Sequence, residues 1–248
     1  MKEKGFSKES EEDEGEPLEP GEGKKETLVD VICRNIRRDI IMGILQPGMK
    51  IMSRDLAERY GTSETPVKLA LNRMISEQVV ENYPRQGMII KPVTLSDAEE
   101  IFALRLMMDL YYTKEIIDAV QVNKSLKQEL ANNIKEHEEV MHQYISSNDV
   151  ELFVQDYNHD YEFHRLYLKC SGNQKLVDMY KGLNPFIYSN YIFRQQSQEK
   201  DMAGLEEHKA ILNAIVIGDE ELLKQSIKTH INNAINSIRI IMKCERIH

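Results

Sequence analysis

The sequence has little cysteine and no apolar run long enough to cross a membrane. Cys33, Cys170 and Cys244 are far apart and form no C-x-x-C pair, which argues against a disulfide framework and against a cysteine zinc site. We predict buried thiols instead. No stretch approaches the roughly 18 to 20 apolar residues of a transmembrane helix, and the N-terminus is acidic where a secretory signal would be basic and then apolar. We therefore expect a cytoplasmic protein with no membrane partner.

Positive charge is scarce overall, but it is concentrated in one segment. The 248 residues carry a net charge of −9, which by itself argues against binding to nucleic acid. Residues 27–93 nevertheless hold 10 Lys/Arg and 7 Asp/Glu, whereas residues 1–26 and 94–248 have net charges of −5 and −7. Any contact with DNA would therefore have to come from the middle segment.

Residues 1–26 are poor in apolar side chains. Beyond Met1, the large apolar residues in this segment are Phe6 and Leu18, set among Glu, Gly, Ser, Lys and Pro. Their burial is too small to offset the entropy of ordering the chain. We predict a disordered acidic tail that is simply solvated, and an autoinhibitory tail that imitates DNA is the alternative.

Residues 27–93 have the pattern of a winged helix-turn-helix. Apolar residues at helical spacing from Leu28 to Leu45 predict a first helix that ends at the sequence QPG. Two further helices follow, and then two β-like runs at residues 79–83 and 88–91 predict a hairpin, or wing. The order of helix, helix, turn, helix and wing over about 65 residues is that of a winged helix-turn-helix.

The second and third of these helices form the pair that would read DNA. Ser53 is a good N-cap for the second helix, RDLAERY, which stops at Gly61. Thr62 or Ser63 caps the third helix, where Pro66 is tolerated because it lies in the first turn. The third helix therefore occupies the place of the recognition helix.

Residues 94–248 favour helices, and we expect a mainly α protein. The candidate helices are residues 95–120, 125–146, 149–170, 174–196, 201–217 and 220–243. Segments of this length predict an all-α bundle of six or seven helices. None of the breaks between the segments offers a strand or a glycine-rich phosphate loop.

Four residues of the predicted bundle are placed to share one metal ion. Asp160 and His164 are four residues apart on one helix, so their side chains lie on one face. His208 and His230 lie ten and twelve residues from Gly218, so an antiparallel pair of helices would put them level. This donor set suits zinc, nickel, manganese or iron. The alternative is that each histidine is a satisfied helix residue.

Arg105 is the second candidate in the bundle. It follows Leu104 in EIFALRLMMDL, at the border of an apolar stripe, where arginine commonly extends its head to solvent. The alternative is that Arg105 points into the bundle and binds a carboxylate in bidentate fashion. His137, His142 and His159 sit among polar residues and are predicted at helix surfaces.

Both halves together resemble the GntR family of transcription regulators, and specifically its FadR-like subfamily with a C-terminal FCD ligand-binding domain. In the first half, IRRDIIMGILQPGMKI, SRDLAERYGTSETPVKLAL and YPRQGMII resemble the family's G-x-L-x-P-G turn, LAE helix, recognition helix and glycine-tipped wing. In the second half, DYEFHRLYLKCSGN resembles the FCD motif D-x-x-F-H with S-G-N, and EEHKAILNAIVIGD with His230 resembles the last two metal-bearing helices. The resemblance covers about residues 27–243.

The resemblance implies DNA contacts by Arg54, Thr65 and Lys68, and by Gln86 and Gly87 at the wing tip. The chemistry of these residues agrees with that role. Arg54 and Lys68 suit phosphates or guanine edges, Thr65 suits a phosphate, and a glycine tip lets the backbone approach the minor groove.

Glu64 departs from the family pattern, which usually has arginine at this position. A carboxylate repels phosphates, but it can accept a hydrogen bond from cytosine N4 in the major groove. Our hypothesis is that Glu64 contacts DNA and trades non-specific affinity for a changed operator preference. The alternative is that its charge favours the helix macrodipole and touches nothing.

The resemblance also implies that Asp160, His164, His208 and His230 bind a divalent metal, with zinc as the first expectation, and that Arg105 binds an effector carboxylate. We therefore expect a homodimeric regulator, a repressor rather than an enzyme, that binds a two-fold symmetric double-stranded DNA operator and a small organic acid. A metal-responsive regulator without an organic effector is one alternative. A metalloenzyme is another, although no motif supplies a general base or nucleophile beside the metal.

Overall fold

The first domain contains three helices and a small antiparallel sheet in the computed structural model, which describes residues 27–85, 87–183 and 197–245. The helices are α1 (Leu28–Ile41), α2 (Ser53–Arg59) and α3 (Glu64–Ser76). The strands are β1 (Lys50–Ile51), β2 (Val80–Tyr83) and β3 (Gly87–Ile90), in the order β1-β3-β2. This arrangement confirms the predicted winged helix-turn-helix. The predicted acidic tail and Gln86 lie outside the described residues.

Apolar faces of α1 and α3 form the core of the first domain. Ile36 of α1 and Leu71 of α3 are completely buried in one cluster, as the helical spacing predicts. The first helix ends at Ile41 rather than near Leu45, because Gly43 adopts a left-handed conformation with φ of 71°. Leu45 still reaches the core after the turn.

Two details of the helix-turn-helix differ from the predictions. Met52 rather than Ser53 is the N-cap of α2, so the predicted cap was wrong. The Ser53 hydroxyl instead donates to Glu64 Oε2 at 2.9 Å and joins the start of α2 to the start of α3. Ser63 is the N-cap of α3 by its backbone, but its side chain makes no capping hydrogen bond.

The second domain is all helical over its described residues. Its helices are α4 (Leu95–Tyr111), α5 (Thr113–Val122), α6 (Lys124–Ser147), α7 (Val150–Lys169), α8 (Gln174–Gly182), α9 (Gln198–Ile217) and α10 (Glu220–Glu245). The predicted helix 95–120 is divided, because the backbone leaves the helical conformation at Tyr112. Residues 184–196 of the predicted helix 174–196 lie outside the described residues. None of the described helices has the length and apolar character that a bilayer span requires.

A tight turn at Gly218 sets the register of α9 against α10. Gly218 has a φ of 77°, and a Cβ at this position would clash with the side-chain amide of Gln121. Glycine therefore satisfies both the left-handed backbone and the close approach of α5. This turn makes α9 and α10 antiparallel neighbours and places His208 opposite His230.

The two domains meet where α1 ends. Ile41 is buried in a small cluster with Tyr144 of α6 and with Val150 and Phe153 of α7. Arg38 adds an ion pair to Glu151, with Nε 3.3 Å from Oε1, although both side chains are largely exposed. Apolar packing rather than this ion pair therefore accounts for most of the contact.

Asp39 joins α1 to the end of α2 by a buried carboxylate. The Arg59 Nη2 donates to Asp39 Oδ1 at 2.9 Å, and the Tyr60 hydroxyl donates to Oδ2 at 2.9 Å. Asp39 is 6% exposed. The Arg59 side chain is 42% exposed, so solvent weakens its electrostatic attraction to Asp39. The hydrogen bond from the Tyr60 hydroxyl is better shielded from solvent.

We expect Asp39→Ala to destabilise the first domain by about 1–3 kcal/mol, because it leaves the Tyr60 hydroxyl and Arg59 without their acceptor. Hydrogen exchange of the full chain, read by mass spectrometry, should become faster in peptides from α1 to α3 and stay unchanged in α9 and α10. The control is Asp118→Ala, which removes an exposed partner of Lys114. Equal exchange in both variants and the parent chain would contradict the assigned role of Asp39.

Candidate functional site

Four side chains from α7, α9 and α10 converge inside the second domain. One potential ligand atom from each of Asp160, His164, His208 and His230 lies within 4.8 Å of the others. His164 Nε2 is 3.0 Å from His230 Nε2, and all three histidines are buried. The structure thus brings together the four residues that the spacing singled out.

Two carboxylates orient the histidines from outside the cluster. Asp109 Oδ2 lies 3.2 Å from His164 Nδ1, and Glu207 Oε2 lies 2.9 Å from His230 Nδ1. The Nε2 atoms of His164 and His230 consequently face each other across the centre. A carboxylate behind the imidazole is the usual second partner of a metal-binding histidine, because it fixes the ring and raises its basicity.

Sequence reasoning assigned no role to Glu207. Glu207 directly precedes His208 in α9, and this position indicates that its carboxylate lies near the histidine cluster. Its reach to His230, however, depends on the packing of α9 against α10.

His208 is the most informative member of the cluster. It is fully buried, and neither ring nitrogen makes a hydrogen bond within the described residues, although Nε2 is 3.4 Å from Asp160 Oδ1. Burial holds the pKa of His208 well below its ordinary value, and burial together with the Arg105 charge lowers the pKa of His164. Both rings are therefore neutral at pH 7, with lone pairs available. This donor chemistry fits a divalent cation.

The Asp160 carboxylate supplies negative charge to the cluster. Burial acts to raise its pKa, but neighbouring cationic groups, among which Arg105 keeps its charge at neutral pH, outweigh burial and leave the pKa below its ordinary value. Asp160 is therefore ionised at neutral pH, the form in which a carboxylate binds a metal.

Arg105 points into the bundle, so of the two interpretations the one in which its head extends to solvent was wrong, and its role in binding an effector stays a prediction. The residue is 4% exposed, and its Nε and Nη2 have no hydrogen-bond partner within the described residues. Its Cζ lies 5.1 Å from the centre of the Phe102 ring. Burial acts to lower the pKa of Arg105, but Tyr180 and Asp160 outweigh it and raise the pKa above its ordinary value. A charged guanidinium with unpaired donors is suited to a carboxylate.

One cavity connects Arg105 with the histidine cluster. Its volume is about 160 Å³, and Arg105, Asp160 and His230 all contribute to its wall. A bound molecule can therefore reach the guanidinium and the cluster at the same time.

His137 lies in the wall of the same cavity, and its predicted surface position was wrong. It is 3% exposed, and its Nε2 lies 3.0 Å from Asp156 Oδ1. The missed signal is a stripe at helical spacing in α6, which includes Leu130, His137 and Met141, all of them buried. His142 is exposed as predicted, whereas His159 is half-buried.

The start of α3 presents the predicted DNA-contact residues. Arg54 and Lys68 have side chains 76% and 60% exposed, and Thr65 is exposed between them. Glu64 Oε2 accepts hydrogen bonds from Ser53 and from Lys68 Nζ, the latter at 2.8 Å. These bonds lower the pKa of Glu64. Glu64 therefore has partners within the protein, and its contact with DNA stays a prediction.

The wing tip is formed by the turn before β3. Arg85 and Gly87 both have positive φ, of 67° and 93°. Gly87 begins β3, and a Cβ there would lie 3.2 Å from Lys50 Cε. The absence of a side chain at Gly87 thus keeps the tip narrow beside a lysine.

The chain matches two sequence families along its length. Residues 28–90 match "Bacterial regulatory proteins, gntR family", and residues 100–233 match "FCD domain". The chain belongs to the GntR family of bacterial regulatory proteins and carries an FCD domain. It is thus a DNA-binding transcriptional regulator rather than an enzyme.

The matched relatives share little sequence identity with this chain, but each alignment covers most of both chains. An uncharacterised HTH-type transcriptional regulator, YdhC, of Bacillus subtilis is 22% identical over 208 residues, which are 84% of this chain and 89% of the relative. The gluconate operon transcriptional repressor of Bacillus licheniformis is 22% identical over 206 residues, 81% of this chain and 80% of the relative. The solved structure of Escherichia coli McbR/YncC shares the fold, with a TM-score of 0.65 at 20% identity, covering 86% of this chain and 97% of that one.

We expect Arg105→Met to raise the free energy of unfolding of this GntR-family chain by roughly 1–3 kcal/mol when it is purified without metal or acid. The substitution replaces a buried charge that has unpaired donors with an apolar side chain of similar length. The contact with Phe102 offsets part of this gain.

Urea denaturation followed by circular dichroism measures the difference. Arg165→Met is the control, since Arg165 pairs with Glu162 near the surface and should change stability by about 0.5 kcal/mol or less. A fall in stability for Arg105→Met would show that the guanidinium is satisfied within the protein.

Proposed function

We propose that this regulator is a homodimeric repressor whose operator binding is controlled by a small carboxylic acid bound at a divalent metal, with zinc as the first candidate. The observation that carries the proposal is the single cavity in which Arg105, with two unpaired donors, lies beside the cluster of Asp160, His164, His208 and His230. A cation-binding cluster and a buried arginine in one cavity are the two partners that a carboxylate requires.

The division of roles follows from the contacts. Asp160, His164, His208 and His230 would hold the ion, which supplies a Lewis acid for a carboxylate oxygen. Arg105 would bind the acid by its planar fork. Asp109 and Glu207 would keep His164 and His230 in place.

Helix α7 offers a route from the cavity to the DNA-binding domain. Phe153 lines the cavity and also packs in the cluster that contains Ile41 of α1. An acid that shifts α7 would therefore move the end of α1, together with the connection near Pro92. For operator binding to change, the acid must favour one arrangement by about 1 kcal/mol or more.

Dimerisation is supported by an apolar stripe on α4. Leu104, Met107 and Tyr111 follow helical spacing and are 42%, 56% and 75% exposed. A face of this kind suits a second copy of the chain. Two copies would match a two-fold operator and double the charge of a DNA-binding segment that carries only a modest positive excess. The repressor assignment is supported by the relative that is named as a repressor of the gluconate operon.

We expect the purified full chain to select genomic fragments that share a two-fold repeat. The genes beside these sites nominate acids, and one of them should weaken operator binding by the zinc-loaded protein about tenfold or more in fluorescence anisotropy. Arg105→Ala should keep operator and zinc binding but bind the acid roughly 10- to 100-fold more weakly, because a charge-assisted bidentate contact is lost.

His208→Gln, with exposed His142→Gln as its control, tests the metal. The former should lose stoichiometric zinc and the acid response, and the latter should keep both. If Arg105→Ala responds normally and zinc itself controls DNA binding, the protein is a metal-responsive regulator without an organic effector. Failure to recover any fragment, with or without zinc and candidate acids, would contradict the proposed repressor.

Glu64→Arg tests the acid on the recognition helix. We expect tighter binding to random DNA with a steeper salt dependence, because the change removes a negative charge and adds a positive one near phosphates. We also expect a changed base preference at the operator position that Glu64 faces. Binding-site selection on random sequences measures both effects, and Glu115→Arg, an exposed position on α5 that changes the net charge equally, is the control. An unchanged base preference would contradict readout by Glu64.

A further inference from the structure

The cavity has a second polar pair that the metal cluster does not use. His137 of α6 and Asp156 of α7 both line the cavity, with His137 Nε2 3.0 Å from Asp156 Oδ1. His137 Nδ1 has no hydrogen-bond partner within the described residues, although the residue is 3% exposed. The Asp156 side chain keeps 13% of its surface accessible. The pair therefore retains hydrogen-bonding capacity on a buried wall.

A structural role explains this pair poorly. Met141 and Phe153 flank it with apolar surface in the same cavity, and a buried ionic pair is often no better for stability than apolar residues of the same size. An unpaired ring nitrogen adds a further desolvation cost. A ligand group that completes these hydrogen bonds would account for both observations.

The charges of the cavity wall limit what that group can be. The ionisable lining residues are Arg105 and Lys200 on the positive side, and Asp156, Asp160, Asp201 and Glu207 on the negative side. A divalent ion would bring this lining to neutrality, so a single carboxylate is accommodated more readily than two. A second carboxylate beside Asp156 would meet a like charge. The wall at His137 and Asp156 therefore favours a neutral polar group.

A hydroxyl group fits the chemistry of the pair. It has one O–H donor, so it can donate either to the Asp156 carboxylate or to His137 Nδ1, which is the acceptor when Nε2–H faces Asp156. Asp156 lies one turn before Asp160 on α7, a spacing of about 5–6 Å between Cβ atoms. A hydroxyl that reaches the pair must therefore be remote from the carboxylate rather than on the adjacent carbon.

We propose that His137 and Asp156 form a second anchor, which selects an acid by a hydroxyl group remote from its carboxylate. This inference rests on the proposed function, since the metal cluster and Arg105 would hold the other end of the molecule. The effector class is therefore a monocarboxylic acid with a hydroxyl group remote from its carboxylate.

Isothermal titration of the zinc-loaded full chain with four six-carbon acids tests the inference. The probes are hexanoate, ω-hydroxyhexanoate, gluconate and adipate. The two hydroxylated acids should bind about tenfold or more tightly than hexanoate, the gain expected for a hydrogen bond to a charged group. Adipate should bind no more tightly than hexanoate, because its second carboxylate faces Asp156.

Two variants assign the preference to the pair. Asp156→Ala and His137→Phe should each bring the affinities for ω-hydroxyhexanoate and hexanoate within about threefold of each other. Hexanoate affinity and zinc stoichiometry should stay at parent values. This result would show that the fold is intact and that the first anchor, the metal cluster with Arg105, still binds the carboxylate. Asp156→Asn should restore part of the preference, and Asp178→Ala, on the surface of α8, should leave it unchanged.

The outcomes separate this inference from the function on which it rests. Equal affinity for hydroxylated and plain acids in the parent chain, or a preference that persists in both Asp156→Ala and His137→Phe, overturns the second anchor alone. If none of the four acids binds, the carboxylate-controlled function fails and the second anchor fails with it. If hexanoate binds equally to the parent and to Arg105→Ala, the first anchor is wrong.

Discussion

Burial of polar groups inside the helical domain is the constraint on which the rest of the structure depends. A charged Arg105 and an ionised Asp160 line one small cavity, and the neutral His208, whose ring nitrogens have no hydrogen-bond partner within the described residues, belongs to the adjoining cluster. Each of these groups costs free energy to remove from water, and packing of the surrounding apolar helices must compensate for it. If stability alone were selected, apolar residues such as leucine and methionine would be expected at these positions. The bundle instead keeps buried polar side chains.

Helix α7 combines the roles that a ligand-controlled regulator must connect. Phe153, Asp156, Asp160 and His164 follow one another at intervals of three or four residues, so one face of the helix carries the cavity wall and the cluster. The N-terminal turn of the same helix packs on Ile41 of the DNA-binding domain. Because a helix is stiff along its axis, a displacement of α7 at the cavity would also displace its N-terminal turn, which contacts Ile41. The interdomain cluster is small, so a modest free energy can alter it.

The parts of the site that the sequence predicts are those governed by spacing within or between neighbouring helices. Asp160 and His164 share a face because they are four residues apart, and His208 meets His230 because Gly218 closes a tight turn midway between them. The sequence leaves two interpretations open where three-dimensional packing decides. Arg105 borders its apolar stripe, so its direction depends on α8, which brings Tyr180 near it.

The dependence on three-dimensional packing also explains why the positions of His137, Ser53 and strand β1 differ from what the sequence predicts. His137 was placed at the surface because its sequence neighbours are polar, although it stands in line with the buried residues of α6. The sequence predicts that the Ser53 hydroxyl caps its own helix, α2, but the hydroxyl donates to Glu64 at the start of α3 instead. The two-residue strand β1 is too short to show a pattern, and it exists because β3 pairs with it.

The acidic start of α3 links the DNA-binding domain to the needs of regulation. Glu64 engages Lys68 and Ser53, so it partly neutralises a cation that would otherwise attract phosphates. In the proposed dimer, weaker non-specific attraction would leave a larger share of the operator affinity to the geometry with which two recognition helices meet their half-sites. A domain held to DNA mainly by charge would tolerate small displacements of α1. A domain that relies on geometry is more sensitive to them, so a shift of about 1 kcal/mol at the α1–α7 contact becomes a larger fraction of the binding preference.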